Sequence, residues 1–435
     1  MALGASLELW ALSSVAWLPG QDIPRYVTLF CGAWLCYAVA IRVVLALPGS
    51  GLVGDLALTF LVCVLIRGTL LLTPPTLSDD VFRSVWDARV LSSGVNPYAF
   101  PPSASELAPL RDDQIWPRVN AKEQRTPYPP LAEAIGAAAY AALPERTLAF
   151  QALAAGMDVL GAALLAWFLR RVGEDPRRAL VLAWSPAGAV HFAHSGHNDS
   201  IMVVGMIGAV LLLTFGRRWA AMAALAGATM VKAVPALAVP SFARLTGWRG
   251  AVPWALTCAL FAAPFLGAGP AVLSGLLEEG SEAQFNDSIH WLVGRAGSEV
   301  SGASVGPAAG VVSVLPLLLA VGALATRATT PLAVLIASCR ALGGYVLVAA
   351  VVQPWYVTWI APLVAVTIRS GRGPMPFALT DGLGWLWFGG AVALSELTYG
   401  QESAPWPVIR AVEYLPLYGI LSASLIVWLR SRGKK

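Results

Sequence analysis

Hydrophobic positions in this chain come in long uninterrupted runs, such as Leu56 to Leu72 and Val311 to Ala325, and not in strict alternation. Crossing the hydrocarbon core of a bilayer takes about 20 apolar residues in a helix, and lipid admits helices or closed barrels because backbone polar groups must be satisfied internally. Continuous runs favour helices. Candidate spans lie near 3–19, 26–47, 51–73, 147–169, 178–195, 199–216, 219–243, 250–267, 306–326, 331–350, 354–369, 375–395 and 406–429. The pattern predicts an all-α polytopic membrane protein, one integral-membrane domain over 1–435, with about 11–13 transmembrane helices.

Two segments depart from simple spans. The apolar stretch 129–143 is too short to cross and suits an interfacial or re-entrant helix. Trp219 to Arg244 carries Lys232 and Pro235 at its middle, which predicts two short helices meeting at a break with Lys232 near the apex. Irregular backbone at membrane depth is tolerated where protein or a water-filled cavity surrounds it.

Charge orients the spans. Arg170, Arg171, Arg177, Arg178, Arg217, Arg218, Arg244, Arg249, Arg327, Arg369, Arg372 and the tail Arg430, Arg432, Lys434 and Lys435 all fall in short connections that one alternating path puts on the cytoplasmic side. The opposite face then receives the long loop 74–128, the turn 194–199, a second loop 268–305, the turn 353–356 and the segment 396–405.

Composition sharpens this picture. Of 435 residues, 57% are hydrophobic and 12% charged, against roughly 25% charged in soluble domains. The net charge of +4 comes from basic residues at helix ends, so it is no footprint for nucleic acid. Cys31, Cys36, Cys63, Cys258 and Cys339 sit in apolar stretches and read as small core residues. The run Leu7 to Pro19 lacks a basic flank, so no cleavable signal peptide is expected.

The densest chemistry lies in SDDVFRSVWDARVLSSGVNPYAFPP, residues 78–102. Ser78 can cap a helix whose first turn holds Asp79 and Asp80. Asp80, Arg83 and Asp87 then share one stripe, and Gly94 with the turn Asn96 to Tyr98 ends the helix. Adjacent carboxylates can split a raised from an ordinary pKa, which general-base chemistry uses, whereas a capped surface helix with a salt bridge would carry the same residues without chemistry.

This segment resembles the first external loop of the GT-C class of integral-membrane glycosyltransferases. It looks most like bacterial polyprenol-phosphate-mannose-dependent mannosyltransferases, through Ser78, Asp79, Asp80, Arg83, Trp86, Asp87, Arg89, Val90, Gly94, Asn96, Pro97 and Tyr98. TPYPPL at 126–131, GHND at 196–199, KAVP at 232–235 and QPWY at 353–356 are similar to further landmarks of that class.

The resemblance implies a GT-C-like bundle in the bacterial cytoplasmic membrane with its site on the external face. It implies transfer of a hexose, mannose by the likeness, from a polyprenyl-phosphate-linked donor to a glycolipid or glycan acceptor, with Asp79 the first choice as general base and Asp80 the second choice or a partner orienting the acceptor. No cofactor and no metal are expected. Arg67, Arg83, Arg89 and Lys232 are candidates to meet the departing phosphate, with snorkelling the other reading of Arg67. Asp87, Tyr128, His197, Asn198 and Asp199 are candidates to contact sugar or acceptor, and so are Gln353, Trp355 and Tyr356, which as aromatics at a helix end could equally form an interfacial belt. His191, His194 and His197 lie close enough for a metal site to be weighed, but a polar cluster is preferred. His290 is compatible with acceptor contact. A secondary transporter or a lipid-carrier flippase without catalysis is the rival class.

Overall fold

The computed structural model describes residues 22–46, 51–275, 284–301, 306–368, 380–399 and 405–432. The predicted first span, 3–19, lies outside the described residues, as do parts of 268–305, 354–369, 375–395 and 396–405. Among the described residues there is no strand, and one isolated bridge joins Phe285 to Val351. The chain is all-α, as the continuous runs predict.

The helices run α1 (Ile23–Ala46), α2 (Leu52–Leu71), α3 (Asp80–Ser92), α4 (Pro130–Ala142), α5 (Thr147–Arg171), α6 (Asp199–Thr214), α7 (Arg218–Val231), α8 (Val239–Thr246) and α9 (Ala251–Ala262). They continue with α10 (Ile289–Ser301), α11 (Gly306–Ala325), α12 (Pro331–Val348), α13 (Ala361–Thr367), α14 (Asp381–Ala391) and α15 (Trp406–Arg432). Among the described residues six helical stretches are long and apolar enough to cross a bilayer, which makes this a multi-pass membrane protein.

Both sides of the bundle are apolar, as lipid requires. Inward, Phe30, Tyr37, Met206, Leu225 and Leu342 join one buried cluster. Outward, Leu61, Leu65, Leu256, Leu260, Leu315 and Leu319 remain exposed. Close helix approach uses small residues: a Cβ on Gly205 of α6 would stand 2.9 Å from that of Ala228 on α7, where dispersion and not the hydrophobic effect holds helices together.

Proline marks several of the points where helices fail, although Pro316 and Pro416 lie within α11 and α15. Helix α4 opens on Pro130, ends before Pro144 and holds 13 residues, about 20 Å against a core of about 30 Å. It packs on α3, α5 and α7. Helix α7 stops at Val231, Lys232 is extended (φ −149°, ψ 133°), and a 3-10 turn Val234–Ala238 leads into α8. That is the break predicted from Lys232 and Pro235. The run 178–195 differs from the single span expected: Ser185 precedes Pro186, caps the next turn through a Gly188 N–H to Oγ bond of 3.2 Å, and the chain continues as a π-helix, Ala189–His194. Similarly, 354–369 opens as a 3-10 helix, Pro354–Trp359, before α13.

Candidate active site

The loop 74–128 is a folded unit around α3. Ser78 Oγ accepts the Asp80 N–H at 3.3 Å, and Asp79 occupies the N-cap position. Trp86 is fully buried and packs on Trp116 with ring centroids 4.9 Å apart. One turn apart, Arg83 Nε donates to both oxygens of Asp87 at 3.0 and 2.9 Å, while its other nitrogens reach the Ala121 and Gln124 carbonyls at 3.1 Å. Arg83 therefore ties the outgoing helix to the returning limb of the loop. Arg89 does the same elsewhere, bonding Asp112, Glu145 and the Leu110 carbonyl. Burial opposes ionisation of Asp112, but the Trp116 N–H, Arg89 and the Ile115 N–H outweigh it and hold its carboxyl below the usual range.

Beneath the loop, burial raises the Asp87 carboxyl against the pull of Arg83. Burial, helped by the charge of Asp87, pushes Glu133 up to about 8, and Thr126 Oγ1 donates to Glu133 at 2.7 Å. Tyr98 donates to the Tyr128 carbonyl at 2.6 Å, fixing the chain where TPYPPL begins α4.

This frame presents the aspartates to an inner cavity. Arg118 clamps Asp79 through Oδ1 at 2.8 Å and lies over the Phe82 ring. Asn120 donates to Asp80 Oδ1 at 2.6 Å, and His197 Nδ1 sits 3.4 Å from Asp80 Oδ2. The Asp79 side chain is 52% exposed and that of Asp80 27%, so Asp80 lies deeper.

The opposing wall comes from the turn after the π-helix. Gly196 takes a left-handed φ of +72°, which swings the chain so that His197 stacks on Trp355 at 3.9 Å. Asp199, in the first turn of α6, accepts from Lys232 Nζ at 2.9 Å and from Trp359 Nε1 at 2.6 Å. Lys232 Nζ also lies 5.1 and 5.3 Å from the stacked rings of Tyr356 and Trp359, within cation–π range. Gln353 Oε1 accepts from Tyr399 at 2.9 Å.

Arg118, Phe82 and Gly196 apart, these groups border a cavity of about 950 Å³. Of the sequence-predicted site residues it gathers Asp79, Asp80, Arg83, Tyr128, His197, Asp199, Lys232, Gln353, Trp355 and Tyr356. Its far wall is apolar, with Leu237, Val314, Leu317 and Leu318.

Other predicted residues lie elsewhere. Arg67 does not border the cavity: its guanidinium binds Asp158 Oδ2 at 2.6 and 3.1 Å and the Ala183 carbonyl at 2.6 Å. Asp87 pairs with Arg83 inside the loop, Arg89 pairs with Asp112 of the loop and Glu145 beyond it, and Asn198 lines a separate small pocket beside Glu133. His194 bonds Thr73 and Thr76, and among the described residues no three potential ligands form a metal group. His290 pairs with Asp287 at 2.9 Å, off the cavity.

Sequence reasoning missed Arg118, Asn120, Glu396 and Tyr399. Each is a lone polar residue with no pattern around it, and only the fold brings Arg118 and Asn120 to the aspartates and Glu396 and Tyr399 to the cavity beside them.

Residues 11–247 match the family model described as alpha-(1->6)-mannopyranosyltransferase, N-terminal domain. The chain is also 25% identical over 252 residues to alpha-(1->6)-mannopyranosyltransferase A of Corynebacterium glutamicum, covering 54% of this chain and 50% of that protein. It thus spans about half the length of this curated relative. Because the family match runs through the loop, the turn and the helix break that border the cavity, this multi-pass chain belongs to the alpha-(1->6)-mannopyranosyltransferase family.

Proposed function

We propose that the chain transfers mannose from a polyprenyl-phosphate carrier to a glycolipid or glycan acceptor, at the external face of a bacterial cytoplasmic membrane. The observation that carries this reading is one cavity whose wall passes from Asp79 and Asp80, by way of Lys232, to the apolar side chains of Leu237, Leu317 and Leu318. Sugar transfer from a lipid phosphate needs those three surfaces in that order: a proton acceptor, a cation for the leaving group and an apolar seat for the tail.

In this reading the acceptor hydroxyl gives its proton to Asp79 Oδ2, since Arg118 engages Oδ1 and holds the carboxylate still. The acceptor oxygen attacks the anomeric carbon, the bond to the phosphate oxygen breaks, and the polyprenyl phosphate departs with the electron pair, inverting the configuration. Lys232 meets the departing oxygens. Its pairing with Asp199 and its seat between two aromatic faces fix the ammonium before the phosphate arrives, so little reorganisation is left for the reaction itself. Asp80, held by Asn120 and His197, orients the acceptor. Arg83 shapes the cavity floor while bonded to Asp87 and the loop carbonyls. Arg67 serves the bundle through Asp158.

The test is transfer from radiolabelled polyprenyl-phosphate mannose in membranes. General-base catalysis contributes about 10²–10⁴ in rate, so Asp79→Asn should lose at least about a hundredfold, and Asp80→Asn less. Wild-type transfer by a normally expressed Asp79→Asn variant refutes its assignment as base, and absence of transfer by the wild type leaves the carrier-flippase reading in its place.

A further inference from the structure

One carboxyl group bordering the cavity has no role in the chemistry above. Glu396 follows α14 in a 3-10 helix, Val392–Thr398, and is 7% exposed. It lines the cavity, and among the described residues no hydrogen bond or ion pair reaches its side chain. A carboxyl buried without a partner is costly, so this group needs a hydrogen-bonding occupant of the cavity, either water or a ligand.

Its neighbours define the kind of occupant. In a 3-10 helix, residues three apart eclipse one another. Tyr399, the C-cap residue, is so spaced from Glu396, and its N–H donates to the Glu396 carbonyl at 3.2 Å. Both side chains face the cavity. The Tyr399 hydroxyl donates to Gln353 Oε1 at 2.9 Å, and its ring stacks on Phe285 at 4.9 Å, which stiffens this wall. Phe285 is itself stitched to 350–352 by backbone bonds of 3.0 and 2.8 Å, directly before Gln353. The result is a carboxyl, a carboxamide and a phenol converging from a rigid wall.

That set suits a hydroxyl-rich ligand. Burial pushes the Glu396 carboxyl up to about 8, so it is a neutral hydroxyl-bonding group and brings no positive charge for the carrier phosphate, which belongs at Lys232. Tyr399 is nonetheless near enough to Asp80 for that charge to act on its phenol. We infer that Glu396, with Gln353 and Tyr399, forms an acceptor-sugar subsite in which Glu396 hydrogen-bonds ring hydroxyls and sets which acceptor is used. The inference rests on the transferase reading for its ligand class, but Glu396 is a specificity residue and not the base.

A site built to bond a hydroxyl rejects analogues that lack it, because its buried polar group is then left unpaired. The probe is an octyl α-(1→6)-linked dimannoside with its monodeoxy derivatives, measured in two ways: binding to the purified full chain, and transfer from radiolabelled polyprenyl-phosphate mannose. Glu396→Ala should weaken binding and raise KM about tenfold, the worth of one hydrogen bond to a buried carboxyl. Its kcat should stay within about twofold, and Glu396→Gln should recover part of the loss. One deoxy derivative should lose as much with the wild type and nothing further with Glu396→Ala.

If both variants bind and discriminate the deoxy series as the wild type does, the subsite is refuted and the transferase reading stands. Should the wild type bind the probe through Glu396 without transferring mannose, the subsite stands and the transferase reading fails. A wild type that neither binds nor transfers overturns both.

Discussion

The buried pair between Arg67 of α2 and Asp158 of α5 separates two roles for Arg67 by an asymmetry in what each partner leaves behind. The two side chains are 2% and 8% exposed. Asp158 Oδ2 accepts from Arg67 Nε and Nη2 at 3.1 and 2.6 Å, and the Leu182 and Ala183 carbonyls accept from Nη2 and Nη1 at 3.2 and 2.6 Å. In Asp158→Ala the carbonyls stay but the carboxylate goes. Arginine cannot shed its charge, so a desolvated cation remains and the expected loss is about 3–5 kcal/mol. In Arg67→Met the stranded carboxyl can take up a proton, so the loss should be smaller. The double variant Arg67→Met/Asp158→Leu replaces the pair with apolar groups and should recover most of the stability, because removing both partners of a buried ion pair is often neutral. The assay is thermal unfolding of the purified protein in detergent, with transfer activity measured on the same samples. The reasoning fails if Asp158→Ala unfolds like the wild type, or if the double variant is stable yet has lost transfer. The latter result would return Arg67 to phosphate binding.

Two further outcomes follow from the loop and its neighbours. Gly196→Ala should cost about 1–3 kcal/mol, since its φ of +72° is strained for alanine and the new Cβ would stand 3.0 Å from Val81 Cγ2. It should also pull His197 from Asp80 and slow transfer, and wild-type unfolding and transfer would contradict this. Glu133 is raised to about 8 from 4.5, so the folded state holds its proton more tightly than the unfolded one. Its contribution is fully present below about pH 4.5 and declines as pH climbs towards 8. Proteolysis of the loop 74–128 should accelerate over that window in the wild type and less in Glu133→Gln, and parallel pH profiles for the two would refute the assignment.

Much of the fold could be read from local pattern, because helix and breaker signals are local. The runs from Leu56 to Leu72 and from Thr147 to Arg171 become helices, and Lys232 with Pro235 marks the break where the structure has it. The stripe that joins Arg83 to Asp87 follows from four-residue spacing and closes as an ion pair. The partners of the aspartates are different in kind. Arg118 and Asn120 return to Asp79 and Asp80 from 39 and 40 residues away, past α3 and an irregular stretch whose path no periodicity encodes. Arg67 was open to two readings because its partner lies 91 residues away on another helix. Ser185–Pro186 was hidden by the apolar residues around it, which satisfied a hydropathy window while the missing proline N–H divided the helix. Glu396 had no neighbour in sequence to signal it, and its place depends on the 3-10 turn that follows α14.

The apolar wall formed by Leu237, Val314, Leu317 and Leu318 bears on how saturation should be counted. On α11, Leu315 and Leu319 next to that wall are exposed on the outside of the bundle. A ligand with a long hydrocarbon tail would then approach by sliding within the leaflet, and its effective supply would be a mole fraction among lipids and not a molarity in buffer. Diluting the vesicles with water would leave turnover per protein unchanged, whereas diluting the donor with inert lipid at constant volume would slow it.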